Sequence, residues 1–330
     1  MIPIKGYATF HPLKHCMVGK NFSSSYFKKL SKNTKITNSL QRLADETEED
    51  YLKFIEILKQ FGVKTYRPEF NEEDYLGNMH GRPPVHPRDH FAVIGETFYA
   101  VQPTNFYGSI LKQIDKKNLF LKNKKINVNT STIARIGKDL FWDLPWGNPN
   151  AEDINFFKEK WESEGYRIHI SNKGYHMDGC FSIVKPGCIV SLKDVHIKDY
   201  EKEFPKWDVL YLPDQSWSKI HPFQKIKEKV QGRWWIPGEE NNEALIEFVE
   251  SWMKDWVGYV EETVFDVNML SIDENTIICN NYNKEVFDFF KKHKVEPIVF
   301  NFRHRYFWDG GVSCITQDFY REGKMEDYFG

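Results

Sequence analysis

Residues 175–192, YHMDGCFSIVKPGCIVSL, join a chemically suggestive pair to two strands of buried character. The runs FSIV and CIVSL are largely apolar, and the Pro-Gly between them is a tight-turn signal, so the stretch reads as a turn-linked strand pair. His176 and Asp178 stand just ahead of it. If that piece is extended, both side chains leave the same side of the backbone. A histidine moves protons near neutral pH, and a carboxylate beside it holds a cation or fixes its tautomer. The plainer alternative is a turn histidine with an aspartate cap. The pair offers too few ligands for a metal.

Strands of the same kind recur in both directions. HFAVIG (90–95) and VNMLSIDENTIICN (267–280) read as buried strands, the second as another turn-linked pair. Four segments repeat one pattern: a capped amphipathic helix, a short break, then a strand. Tyr51, Phe54, Leu58 and Phe61 share a helical face before Gly62 and VKTYR (63–67). Asn150 caps a helix carrying Ile154, Phe157 and Trp161, followed by Gly165 and YRIHI (166–170). Leu245, Phe248, Val249, Trp252 and Trp256 form a third stripe, with Gly258 beyond. Asn283 opens the fourth, with Val286, Phe289 and Phe290 ahead of PIVFNF (297–302). A shorter copy is read at 199–212, where DYEKEF leads into WDVLYLP. Repetition of a strand–helix unit, with no low-complexity linker, predicts one closed, pseudosymmetric α/β assembly over residues 1–330.

The chain has the material for such a core. Its hydrophobic fraction is only 41%, but aromatic residues make up 16% and each buries a large area. Lys and Arg total 45 against 47 Asp and Glu, a net charge of −2 that gives no basis for binding nucleic acid. The basic KNKK at 122–125 reads as a solvated loop. No run approaches the roughly 18–20 apolar residues of a membrane span. MIPIKGYATF at the start lacks the basic-then-apolar order of a signal peptide. The cysteines, Cys16, Cys180, Cys188, Cys279 and Cys314, form neither an even set nor a CxxC pair. A reducing cytoplasm is the expected location.

Two further segments carry candidate chemistry. Cys314 lies in DGGVSCIT (309–316), expected to follow a buried strand, where two glycines permit a tight backbone near the thiol. A turn at a strand end would expose such a cysteine and stabilise its thiolate through backbone amides; the alternative is an inert, buried thiol. Arg88 and Asp89 lie in HPRDHFAVIG (86–95). An aspartate at a strand mouth can hold a guanidinium through paired hydrogen bonds, or simply form a local contact or turn cap.

Taken in order, RD…HMD…GGxxC with these flanks resembles the amidinotransferases, relatives of glycine amidinotransferase in the guanidino-modifying superfamily, over nearly the whole chain. FHPLKHCMVGK (10–20) is similar to the family's opening strand, PRDHFAVIG (87–95) to its first acidic motif and NTSTIARIGKDLF (129–141) to its second. HMDGCFSIVKPGCIVS (176–191) is similar to its histidine motif; FDVNMLSIDENTIICNN (265–281) and GGVSCITQDFYREG (310–323) resemble its last strands and cysteine motif. The resemblance implies a five-bladed α/β propeller, or pentein, with its site in the central channel. It implies that Cys314 attacks the guanidino carbon of a donor such as arginine, leaving an amidino-cysteine. His176 would protonate the leaving amine and later deprotonate an amine acceptor, while Asp178 and Asp89 grip the guanidinium. Tyr175, Asn129, Asn268 and Ser313 are expected to line the substrate. No cofactor or metal is implied, and homodimers are frequent among related proteins.

Three positions depart from the family pattern. Asn129 stands where an aspartate is usual, and Ser313 where a histidine often precedes the nucleophile. The arginine that clamps the donor's carboxylate falls at Val195, with Lys193, His196, Arg303 and Arg305 as possible substitutes. The departures fit a different guanidino substrate, or a weakened, binding or assembly protein on the same scaffold; separately, water as the acceptor would make the chain a hydrolase of the deiminase or dihydrolase kind.

Overall fold

Short apolar strands cannot bury both faces alone, and here each hairpin gains a third strand and packs into a ring with four others. The computed structural model describes residues 1–76, 81–101, 105–121, 126, 128–144, 150–172, 176–192, 206–213, 220–258 and 262–329. Within them lie five three-stranded sheets, the blades of an α/β propeller. In every blade the first two strands are antiparallel and the third runs parallel to the second. Blade two comprises Ala92–Ile94, Thr97–Ala100 and Leu119–Leu121; blade three comprises Ile133–Ile136, Asp139–Asp143 and Arg167–Ser171. Blade four comprises Phe181–Lys185, Cys188–Leu192 and Asp208–Leu212; blade five comprises Leu270–Ser271, Thr276–Cys279 and Glu296–Val299. Blade one closes the ring, because its first strand, Thr316–Arg321, comes from late in the chain and pairs with Leu13–Val18, which in turn pairs with Lys64–Tyr66.

A parallel third strand needs a crossover, and helices supply it. Thr34–Gln60, Ala151–Ser163 and Lys284–Lys292 serve blades one, three and five. Each opens on an asparagine, Asn33, Asn150 or Asn283, whose side chain accepts a backbone N–H of the first turn. The expected segment DYEKEF (199–204) lies outside the described residues, while WDVLYLP yields the third strand of blade four.

The helix pattern needs two corrections. The first helix begins at Thr34, well before Tyr51, and Phe61 is its C-cap, 38% exposed rather than part of the buried stripe. The segment around Leu245 forms a helix, Glu243–Trp252, but it is not a blade crossover. It lies between blades four and five and packs on Thr34–Gln60, where Asn242 Nδ2 donates to the Lys35 carbonyl at 2.9 Å. Trp252 is 63% exposed, while Trp256 is buried beyond the helix end. Periodicity reported an amphipathic helix there but not its connectivity.

The N-terminal segment stitches blades together. Gly6 exchanges backbone hydrogen bonds with Gly95, Lys5 N–H donates to the Phe319 carbonyl at 2.8 Å, and Gly137 N–H donates to Tyr7 at 2.9 Å. Towards the axis, first strands of four blades line a small cavity of about 50 Å³ with mixed polar and apolar walls, reached by Arg88, Arg135, Arg321, Asp178 and Ser313. Beside it Asp318, fully buried, pairs with Arg135 and Arg321, and Arg88 lies 3.9 Å away. The three guanidinium groups overcome burial and hold the Asp318 carboxyl far below the usual range. No helix among the described residues is long and apolar enough to cross a membrane.

Candidate active site

The Gly310–Gly311 pair lets the backbone before blade one's first strand pass close to three side chains. A methyl group on Gly311 would lie 2.6 Å from Asn280 Nδ2 and 2.7 Å from Asn268 Oδ1; one on Gly310 would lie 2.3 Å from His86 Nε2. Those asparagines shape the turn. Asn280 Oδ1 accepts Val312 N–H at 2.9 Å and Asn268 Oδ1 accepts Ser313 N–H at 3.0 Å. Cys314 follows, 8% exposed and immediately ahead of Thr316–Arg321. The expectation of an exposed cysteine following a buried strand is therefore corrected: it precedes its strand and is buried.

The thiol sits among polar groups. Asn268 Nδ2 donates to Sγ at 3.1 Å, and the thiol donates to Asp178 Oδ2 at 3.6 Å. Burial, then Asp178 and Asp89, push the Cys314 thiol well above its ordinary pKa, against the opposing N–H donors of Asn268 and Gly311.

His176 and Asp178 come from the turn before blade four. That piece is not extended: Met177–Gly179 form a single 3₁₀ turn, which leaves His176 exposed at the mouth and carries Asp178 inward. Asp178 Oδ2 accepts Asn268 Nδ2 at 3.2 Å, while Oδ1 is buried without a hydrogen-bond partner. Burial raises the Asp178 pKa and Asp89 adds to it, opposed by Arg88, His176 and the Ser313 hydroxyl. Asp89, from the turn Pro87–Asp89, brings Oδ1 to 3.6 Å from His176 Nδ1, and that oxygen too lacks a hydrogen bond. Burial lowers the His176 pKa, but Asp89, Asp178 and Asp309 outweigh it, so the imidazole holds its proton more firmly than usual.

The structure thus brings together Cys314, Asp178, His176, Asp89, Asn268 and Ser313. Arg88 turns away from its neighbour Asp89, its Nε donating to the Ser313 carbonyl at 2.7 Å. Asn129 is spent on protein groups. Its Nδ2 donates to the Asp89 carbonyl at 2.9 Å, and its Oδ1 accepts from Ser131 Oγ, Thr132 N and Thr132 Oγ1. Tyr175, Lys193, Val195 and His196 lie outside the described residues. Arg303 is held by Asp50 and Glu49 on the first long helix, and Arg305 by Asn281 and Asn301. Sequence reading passed over His86, Asn280 and Asp309. His86 lay in a quoted motif, and Asp309 adjoins the glycine pair, but neither residue type signals its role without neighbours.

In fold the chain is a pentein, the propeller seen in amidinotransferases and other guanidino-modifying enzymes. Among solved structures it is similar to SxtG, an amidinotransferase of the saxitoxin biosynthetic pathway from Microseira wollei, with a TM-score of 0.69 and 17% identity over 99% of both chains. It is also similar to the inosamine-phosphate amidinotransferase StrB1 from Streptomyces griseus, with a TM-score of 0.70 and 14% identity over the whole of both chains. A dimethylarginine dimethylaminohydrolase from Pseudomonas aeruginosa, complexed with citrulline, matches at a TM-score of 0.57 and 12% identity over 93% of this chain and all of its own. No family model and no curated protein matches the sequence. What is shared at such identities is the fold.

Proposed function

We propose that the protein is an amidinotransferase that moves an amidino group from a guanidino donor to an amine acceptor through Cys314. One observation carries the reading. Two buried carboxylate oxygens, Asp178 Oδ1 and Asp89 Oδ1, lack donors beside a cysteine that is itself short of positive charge. A guanidinium supplies what all three need: a delocalised cation with N–H groups that fit carboxylates in pairs.

Its arrival also prepares the nucleophile. The cation offsets Asp178 and Asp89, which together with burial keep the thiol protonated, so donor binding releases the Cys314 proton. The thiolate then forms a C–S bond to the guanidino carbon. Collapse breaks the C–N bond to the departing amine, which takes a proton from His176. The neutral imidazole next removes a proton from the acceptor amine, which attacks the amidino carbon and expels the Cys314 thiolate. Fixed charge and proximity supply most of the rate gain. In this scheme Asn129 positions Asp89 through its carbonyl, and no metal or cofactor takes part. The exposed rim at His176 also admits water, which makes guanidino hydrolysis the second reading.

Intact-protein and peptide mass spectrometry after mixing with arginine and a panel of guanidines tests this. The expected result is a mass gain confined to Cys314, absent in Cys314→Ser, and discharged by an added amine. Discharge in water alone, with ammonia or a ureido product, indicates hydrolysis. Failure of every donor to label Cys314 refutes both readings.

A further inference from the structure

His86 takes no part in that scheme, yet its ring touches the same glycine as the nucleophile. It is 4% exposed and precedes the Pro87–Asp89 turn. Its Nδ1 lies 3.0 Å from Arg82 Nη2. A guanidinium can only donate, so Nδ1 accepts and the ring proton sits on Nε2. That Nε2 is buried and has no hydrogen-bond partner. A buried donor left without an acceptor is destabilising and is uncommon in native folds.

Gly310 places this nitrogen beside the nucleophile. A methyl on Gly310 would be 2.3 Å from His86 Nε2 and 2.9 Å from Cys314 Cβ, which places Nε2 at most about 5.2 Å from that Cβ. Sγ lies one C–S bond from Cβ, so a cysteine side chain turned to this side carries the sulfur towards that nitrogen. In the structure the thiol donates to Asp178 Oδ2. Once ionised, sulfur beside that carboxylate is repelled, and the His86 N–H is the acceptor-seeking group on its other flank.

We propose that His86 is a positioning residue for Cys314, its Nε2–H receiving the sulfur whenever the thiol loses its proton. This rests on Cys314 being the nucleophile. The charged groups around the sulfur are Asp178 and Asp89 on their two turns; those around His86 are Arg82, Asp89 at 3.7 Å, His90 and His176. Burial, reinforced by Arg82 and the two histidines, keeps the His86 ring neutral, so it acts as a fixed donor and not as a second base.

The test follows alkylation of Cys314 by iodoacetamide, read by peptide mass spectrometry from neutral to strongly alkaline pH, with thermal melts on each variant. His86→Leu is expected to slow alkylation near neutrality about tenfold and to move the profile alkaline by about one unit. His86→Gln, whose amide N–H reaches the same place, stays within about threefold of the parent. Arg82→Met, which frees the ring to change tautomer, gives a partial shift. A folded His86→Leu with an unchanged profile overturns the proposal. If that variant does not fold, an unchanged profile in Arg82→Met does so. Alkylation needs no guanidine, so failure here leaves amidino transfer standing, and a protein that transfers nothing can still show the shift.

Discussion

At the scale of single residues, Asn129 shows how one substitution changes its meaning once its partners are known. Read along the chain, it is an amide where a charge is usual. In the structure its N–H holds the carbonyl of Asp89, and its oxygen gathers three donors from Ser131 and Thr132. Asn129→Asp removes the N–H and sets a carboxylate oxygen against the Asp89 carbonyl. A loss of about 1–3 kcal/mol is expected for such a broken buried bond, with lower turnover. Thermal melting and single-turnover labelling check this; a large gain in labelling would instead mark the site as decayed from an aspartate. Motif order singled out Cys314, His176, Asp178 and Asp89, which the fold brings close together, because acid–base and nucleophilic residue types are rare enough to be informative. It was silent on His86 and Asn280, whose places beside the glycine pair are set by the fold.

At the scale of elements, the turn from Gly310 to Ile315 is the most constrained piece of backbone near the thiol. Gly311→Ala drives a methyl into Asn268 and Asn280, the two amides that hold Ser313 N–H and Val312 N–H. Displacing Sγ by even an ångström costs about a hundredfold in rate, so labelling of Cys314 should fall by about that factor while circular dichroism keeps the native spectrum. Parent-like labelling would show that the turn tolerates the shift. Hairpins such as 181–192 were legible because apolar runs flank a Pro-Gly turn. The strand Thr316–Arg321 was not, because its sequence, TQDFYR, puts Asp318 and Arg321 into a buried ion cluster and so reads as polar. That is why Cys314 was expected after a strand and not before one.

At the scale of the whole molecule, stability should fall in mild acid. Burial, with Arg321 next, lowers the His11 pKa to about 4, and burial lowers that of His86 as well. Both rings are neutral in the folded ring, whereas in the unfolded chain they take up protons near their ordinary pKa of about 6.5. The contribution of each is therefore complete above that value and is lost as pH falls below it; for His11 the loss runs down to about 4 and is on the order of 3 kcal/mol. Urea unfolding at mildly alkaline and mildly acidic pH measures the slope, and His11→Leu should flatten part of it. An unchanged midpoint across that range would refute the account. Ring closure has a further consequence. The carboxylate turns and the histidine leave the ribosome well before residue 314, and the sulfur is walled in only when the strand after it zips onto Leu13–Val18. Such distant pairing forms late. On the proposed amidino-transfer reading, unfinished or clipped chains therefore carry no guanidine-reactive thiol, and the chemistry is born in the same event that completes the architecture.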